Sequence, residues 1–121
     1  FFFFRVAEAY LTYAEATARA NGGTMTPEGV QAINDLRTRA NAATKAGYSM
    51  NDILDEWSRE FYFEGRRRVD LIRHGKFGGN NDYNWQWKGG VKEGRNIDAT
   101  KNIFAIPAAQ VKGAIIQNPG Y

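Results

Sequence analysis

Apolar residues recur at every third or fourth position through most of the N-terminal half of the chain, between short runs of helix-starting and helix-ending residues. This spacing places apolar side chains on one face of a helix, so the chain is expected to be largely α-helical. The first series predicts a helix from about Phe4 to Ala20, ended by Gly22 and Gly23, which take the left-handed conformation without a steric penalty. Its apolar positions are Ala7, Leu11, Ala14 and Ala18, with Tyr10 and Tyr13 on an adjoining stripe.

A second helix is predicted to start at Thr26 and Pro27. Thr26 can cap the helix, and Pro27 suits the first helical position, where an N–H has no intrahelical partner. The helix ends within residues 41–47, and its apolar stripe consists of Val30, Ile33, Leu36 and Ala40. Two helices joined by a glycine turn predict an antiparallel hairpin, close in size to a tetratricopeptide unit of about 34 residues.

The third helix is predicted to open at Ser49, with Asp52 completing a capping-box pair. The third helix is predicted to extend to Glu64. Gly65 then interrupts the pattern before a further helical segment from Arg66 to His74. The residues expected on one side of the third helix are Ile53, Leu54, Trp57, Phe61 and Glu64.

Periodicity is lost from Lys76 to Lys101, which predicts one long loop rich in Gly and Asn. A short helical turn is expected from Pro107 to Gly113, and residues 117–121 are expected to be extended or turn-like. The predicted fold is therefore all-α: a tetratricopeptide-like helical hairpin, further helices and a long irregular C-terminal segment.

The bulk composition excludes several classes of function. The net charge of +3, from 16 basic and 13 acidic residues, is too small to indicate nucleic-acid binding. The chain contains no Cys, which excludes disulfides and thiolate metal sites, and no stretch approaches the ~20 apolar residues of a membrane-spanning helix. The opening run of Phe lacks the features of a signal peptide, so the chain is expected to be a fragment of a larger protein that begins inside a helix.

Glu60 and Glu64 are the first candidates for chemistry. Carboxylates ~5–10 Å apart serve as acid and base in glycoside hydrolases. These two, however, precede a run of arginines, so we expect a structural ion-pair network that locks a helical bend. The predicted network comprises Glu60, Glu64, Arg66, Arg67, Arg68 and Asp70. His74 is the single histidine, and no nucleophile–base pair or metal-ligand spacing is visible, so no catalytic residue, metal or cofactor is expected.

Tyr83, Trp85 and Trp87 alternate with polar residues in the long loop. Aromatic faces can stack on the C–H surfaces of sugar rings while polar neighbours bond the hydroxyls. The polar neighbours are Asn80, Asn81, Asp82 and Gln86, and of these Asn81 and Asp82 join the three rings as candidate ligand-binding residues. Alternatively, the loop folds back and its rings cover apolar surface of the chain. We expect burial of both indoles, which would project to one side of an extended segment.

Four segments, in order, resemble the C-terminal region of SusD/RagB-like proteins. They are RVAEAYLTYAEA at 5–16, AINDLRTRA at 32–40, the stretch from ILDE to GKF at 53–77, and FAIP at 104–107 with QNPGY at 117–121. The third is the most specific and is similar to the family pattern I-L-x-E-R-x-x-E-L-x-F-E-G-x-R-x-x-D-L-x-R-x-G. Trp57 stands where the family often has Arg, and Val69 where it often has Trp.

This resemblance implies that residues 1–121 are the C-terminal portion of a larger helical protein with tetratricopeptide-like hairpins. It implies a lipoprotein, anchored at the Gram-negative outer membrane and cell surface through a Cys in an N-terminal region outside this sequence. It also implies a SusC-like TonB-dependent transporter as partner, and the binding, without cleavage, of oligosaccharides or other nutrients. Two alternatives remain: a tetratricopeptide-type protein-interaction module, and a glycoside hydrolase.

Overall fold

The computed structural model describes residues 4–79 and 82–121, and within them the chain is all-α, as predicted. The four α-helices of this described part are α1 (Val6–Ala20), α2 (Pro27–Arg39), α3 (Met50–Glu60) and α4 (Arg67–Arg73). Three short 3-10 helices follow, at Lys88–Gly90, Ala99–Asn102 and Ala108–Gln110. None of the described helices is long and apolar enough to cross a membrane.

The chain divides into two compact units, one ending at Arg67 and the other comprising Arg68–Tyr121. Residues 4–67 are called the helical unit below, and residues 68–121 the C-terminal unit. The predicted loop from Lys76 to Lys101 lies in the C-terminal unit and contains the first of the 3-10 helices and most of the second.

The predicted helix starts are confirmed at α2 and α3. The Thr26 hydroxyl accepts a hydrogen bond from the Gly29 N–H at 3.1 Å. At α3, the Asp52 N–H donates to Ser49 Oγ at 3.1 Å and the Ser49 N–H donates to Asp52 Oδ2 at 2.8 Å, which completes the capping box. α1 begins at Val6 rather than Phe4 because Arg5 has an extended backbone, with φ of −141°.

Apolar burial holds the helical unit together. α1 packs against α2 and, less extensively, against α3. Most positions of the predicted stripes supply the core, since small Ala side chains allow close approach of the helices and larger residues fill the space between them. Ala40 was wrongly predicted on the α2 stripe, because it follows the end of that helix and is exposed. The core residues are Ala7, Leu11, Ala14, Ala18, Ile33, Leu36, Tyr48, Ile53, Trp57 and Phe61.

The predicted extent of the third helix was wrong. α3 ends at Glu60, and Glu64 lies in the irregular connection to α4 instead of one helical turn further along the same helix. Phe63 and Gly65 have φ angles of 61° and 78°, and this left-handed backbone cannot continue a right-handed helix. The sequence signal at Gly65 was read correctly as an interruption, but the break begins several residues earlier.

Polar side chains organise the backbone of the C-terminal unit. Gln117 donates to the Ile106 carbonyl at 2.7 Å and accepts from the Ile106 N–H at 2.8 Å. The Tyr121 hydroxyl lies within 3.0 Å of the Thr100 carbonyl and 2.8 Å of the Ile103 carbonyl. The predicted helical turn from Pro107 to Gly113 is shorter than expected, being the 3-10 helix Ala108–Gln110. The tail therefore takes its shape from specific hydrogen bonds rather than from helix propensity.

Candidate functional site

Tyr83, Trp85 and Trp87 lie at alternate positions of one segment, called the aromatic loop below; Tyr83 is half-buried, whereas both tryptophans are exposed. The Trp85 and Trp87 side chains are 37% and 65% exposed, so the expected burial of both indoles was wrong. The Tyr83 and Trp85 rings meet edge to face with centroids 6.4 Å apart. Trp87 has a left-handed backbone with φ of 67°, so the two indoles do not follow the alternation of an extended strand.

The predicted polar neighbours of these rings differ in whether the structure describes them and in what they contact. Asp82 is exposed, and its Oδ2 accepts a hydrogen bond from the Lys76 ammonium at 2.8 Å. Gln86 is also exposed, in the turn between the two indoles. Asn80 and Asn81 lie outside the described residues. Of the four predicted polar neighbours, the structure thus places Asp82 and Gln86 in the same short segment as the rings.

Lys88 is the residue that the sequence analysis missed. It follows Trp87 directly, yet its side chain is buried, with 2% of the residue exposed. Its ammonium donates to the carbonyl oxygens of Lys76 and Tyr83, each at 3.1 Å, and lies 4.9 Å from the centroid of the Trp85 ring. Burial lowers the pKa of Lys88, while the charge of Asp82 partly opposes the shift. Sequence offers no signal for this burial, because a lysine between an indole and two glycines resembles any loop cation.

The backbone around Lys88 closes into a tight turn. The Arg95 N–H donates to the Lys88 carbonyl at 2.9 Å, and the Trp87 N–H donates to the Lys92 carbonyl at 3.3 Å. Gly94 has a φ of 75°, and a Cβ at this position would overlap the Trp85 carbonyl oxygen. These contacts fix the segment that carries both indoles.

Glu60 and Glu64 converge on Arg5, a partner that the sequence analysis did not name. Arg5 binds both oxygens of Glu64, at 3.0 and 2.8 Å, and one oxygen of Glu60 at 2.6 Å. Arg39 also binds Glu60, at 2.6 Å. The Arg5 guanidinium lowers the pKa of Glu64, whereas a catalytic acid needs a raised pKa. Both carboxylates are thus engaged in ion pairs, as expected of structural residues.

Arg66 and Arg67 contact different parts of the helical unit. Arg66 pairs with Glu8 at 3.0 Å, and its guanidinium stacks 3.9 Å from the centroid of the Trp57 ring. Arg67 donates to the Leu54 carbonyl at 2.9 Å. Arg66 precedes α4 and Arg67 is its first residue, so the two side chains do not lie on one helical stripe.

The remaining members of the predicted network lie in the C-terminal unit. Arg68 donates to the Lys101 carbonyl at 2.6 Å and stacks 3.8 Å from the centroid of the Phe104 ring. Asp70 is fully buried and pairs with Arg73 at 2.8 Å. Each of the six residues thus takes part in an ion pair, a hydrogen bond or a ring contact, and their arrangement as one structural network stays a prediction.

No group of three or more His, Cys, Asp or Glu side chains within residues 4–79 and 82–121 has an arrangement that could hold a metal ion. His74 has no such cluster around it in this part of the chain.

Comparison with known families identifies the class of protein. The sequence profile of the SusD family matches residues 1–121, the whole of the chain. A crystal structure of a SusD superfamily protein from Parabacteroides distasonis superposes with a TM-score of 0.73 at 22% identity, covering 98% of this chain and 27% of that one. The chain belongs to the SusD family, and the shared architecture agrees with the predicted helical fold.

Two individual relatives sharpen this assignment. The chain is 46% identical over 121 residues to the starch-binding protein SusD of Bacteroides thetaiotaomicron, covering 98% of this chain and 21% of that protein. It is 32% identical over 88 residues to a SusD-like protein of Bacteroides ovatus, covering 70% of this chain and 16% of that protein. The chain therefore spans about a fifth of the length of these curated relatives.

Proposed function

We propose that this chain is the C-terminal portion of a cell-surface protein that binds oligosaccharides without cleaving them. The supporting observation is the 46% identity to a protein named for starch binding. The whole protein is a lipoprotein of the Gram-negative outer membrane, anchored by a segment outside this chain, and passes its cargo to a SusC-like TonB-dependent transporter. These last features follow from the family resemblance.

The aromatic loop is the proposed glycan contact of this chain. Trp85 and Trp87 expose indole faces, onto which the apolar C–H surface of a sugar ring can stack. Asp82 and Gln86 are exposed close by in sequence and offer a carboxylate and an amide to sugar hydroxyls. Stacking with few polar contacts suits a binding site that must release its cargo to a transporter.

Binding without hydrolysis agrees with the state of the carboxylates. Glu64 is held by two hydrogen bonds from Arg5, and Glu60 is bonded by both Arg5 and Arg39. A glycoside hydrolase needs one carboxylic acid that donates a proton and one carboxylate that faces the sugar. Glu60, paired with two arginines, and Glu64, whose pKa is lowered by Arg5, are not placed for either role.

Calorimetric titration with maltoheptaose, a starch-derived oligosaccharide, tests this proposal. The titration uses the longest natural polypeptide that carries residues 1–121. The double variant Trp85→Ala/Trp87→Ala is expected to keep its melting temperature and to lose about tenfold or more in affinity, since each ~1.4 kcal/mol is a factor of ten. Unchanged affinity would contradict the assignment of the aromatic loop.

The matched control is Tyr62→Ala/Phe63→Ala, which removes a second exposed aromatic pair. Tyr62 and Phe63 are 73% and 89% exposed, with ring centroids 4.5 Å apart. This variant should bind maltoheptaose as the wild type does. Chromatography of the sugar after incubation should show no shortened product, and turnover abolished by Glu60→Gln would support the hydrolase alternative.

A second candidate function, a protein-interaction module, is favoured by one observation. Tyr10 and Tyr13 of α1, with Ala9 and Ala32, line an open hollow of about 290 Å³ on the helical unit. Two results together would favour this alternative. The wild-type protein would bind none of a panel of oligosaccharides, and it would bind a protein partner in a way that Tyr13→Glu abolishes.

A further inference from the structure

We propose that Lys88 is a positioning residue that sets the presentation of Trp85 and Trp87 to a saccharide. This inference rests on the proposed glycan-binding function of the aromatic loop. It goes beyond that function because Lys88 itself is buried and is not offered to the ligand. Lys88 acts through the indoles, by fixing the backbone and the ring from which they project.

Burying the side chain of Lys88 costs free energy. An ammonium removed from water is destabilised unless hydrogen bonds replace its hydration. Lys88 is 2% exposed, and two main-chain carbonyls supply that replacement. A lysine without such partners would extend its ammonium into water. The burial of Lys88 therefore depends on the segments that provide the two carbonyls.

The two carbonyls that bind the Lys88 ammonium lie at separate positions along the chain. Lys76 and Tyr83 are twelve and five residues before Lys88, so the ammonium ties both ends of one segment to the turn that follows the indoles. Tyr83 is also the ring that meets Trp85 edge to face. Fixing the Tyr83 main chain therefore fixes one neighbour of the Trp85 ring.

Lys88 also contacts one of the indoles directly. The Lys88 ammonium lies 4.9 Å from the centroid of Trp85, within the range of a cation–π interaction. One face of the ring system is thus oriented by the buried cation, and the ring remains 37% exposed. A half-covered, oriented ring is the form in which an indole loses little rotational freedom when a sugar stacks on it.

Two charged groups near Lys88, Asp82 and Arg95, bind other partners. Asp82 is exposed and binds Lys76, and Arg95 donates its side-chain Nε to the Gly89 carbonyl at 3.0 Å. Removal of the Lys88 ammonium would leave the Lys76 and Tyr83 carbonyls without their cationic donor. The segment from Lys76 to Tyr83 would then lose its tie to the turn.

The test compares Lys88→Met, which keeps the length of the side chain and removes its donors, with Lys88→Arg, which keeps a cation. The protein is labelled with 5-fluorotryptophan, and each fluorine resonance is assigned with a Trp→Phe variant. Lys88→Met should shift and broaden the Trp85 and Trp87 resonances and reduce maltoheptaose affinity about tenfold. Lys88→Arg should recover part of both changes.

Trp57 and Lys112 provide the controls. Trp57 is buried in the helical unit, so its unchanged resonance would show that this unit remains folded in Lys88→Met. Lys112 is an exposed lysine of the C-terminal unit, and Lys112→Met should alter neither the indole resonances nor the affinity.

The possible outcomes separate this inference from the function on which it rests. Unshifted Trp85 and Trp87 resonances in Lys88→Met would overturn the positioning function. Shifted resonances with unchanged maltoheptaose affinity would also overturn it, because the rings would then move without consequence for binding. A wild-type protein that binds no oligosaccharide would instead overturn the proposed function, while the spectra would still decide whether Lys88 orients the indoles.

Discussion

The helical unit and the C-terminal unit are stabilised by different kinds of contact. The helical unit buries a continuous set of apolar side chains, with Trp57 and Leu11 among the largest that are fully covered. In the described part of the C-terminal unit, the buried residues are Asp70, Leu71, Gly78 and Lys88, and only one of them is a large apolar residue. Its backbone is shaped instead by side-chain hydrogen bonds such as those of Gln117 and Tyr121.

This difference predicts different sensitivities to mutation. Apolar burial is non-directional and scales with area, so the helical unit should respond most to lost volume. A hydrogen bond is directional and contributes only ~0.5–1.5 kcal/mol net, so the C-terminal unit should respond locally to the loss of one donor or acceptor. Irregular backbone held by hydrogen bonds can keep exposed rings in fixed positions. A regular helix can project such rings only from its faces.

The largest effect is expected for Trp57→Ala in the helical unit. The side chain is 1% exposed, and its indole N–H donates to buried Glu15 at 2.8 Å. Truncation leaves a cavity and removes the hydrogen bond to Glu15 Oε2, so the free energy of unfolding should fall by ~3–5 kcal/mol in chemical denaturation. Val6→Ala, at a position 73% exposed, should change it by less than ~0.5 kcal/mol. An equal decrease in the free energy of unfolding in the two variants would contradict the prediction that the helical unit is most sensitive to lost core volume.

An intermediate effect is expected for Arg5→Met, which removes the shared partner of Glu60 and Glu64. The free energy of unfolding at pH 7 should fall by ~1–3 kcal/mol, because carboxylates arranged for a guanidinium are left facing one another. The pKa of Glu64 is depressed in the folded state, so its contribution is present above the unfolded-state pKa. That contribution is lost as pH falls through the lower folded-state pKa.

The stability of the wild type should therefore decline below about pH 4, with Asp52, whose pKa is also lowered by Lys45 and Ser49, adding to the effect. Denaturation curves between pH 7 and pH 2 measure this decline. The destabilisation caused by Arg5→Met should become smaller over the same range. A difference that stays constant with pH would show that packing of the Arg5 side chain, rather than its charge, supplies the stability.

The smallest effect is expected for Gln117→Ala in the C-terminal unit. The variant removes the side chain that bonds both main-chain groups of Ile106, and it should cost about 1 kcal/mol locally. Hydrogen exchange at the Ile106 amide should accelerate about fivefold, while amides in α1 should be unchanged. Gln110→Ala, at an exposed position, is the matched control. Faster exchange throughout α1 would show that the two units do not respond independently.

Much of the helical unit could be read from the sequence because its signals are local. The caps at Thr26 and Ser49 and the apolar stripe of α1 depend on residues within one or two turns of each other. The end of α3 was harder, since Phe63 carries no sequence signal for a left-handed backbone. The partners of Glu60 and Glu64 were missed for a related reason: Arg5 is 55 and 59 residues away along the chain.

The sequence by itself determined the helical class, the starts of α2 and α3 and the resemblance that led to the SusD family, because period, capping and motif are properties of short stretches of chain. Only the tertiary structure decided which side chains of the loop are exposed and which are buried. Trp85 and Trp87 are exposed and Lys88 is buried, the reverse of what their hydrophobicity suggests. The physical reason is that main-chain carbonyls from distant positions solvate the ammonium, and a single sequence does not show which carbonyls will meet it.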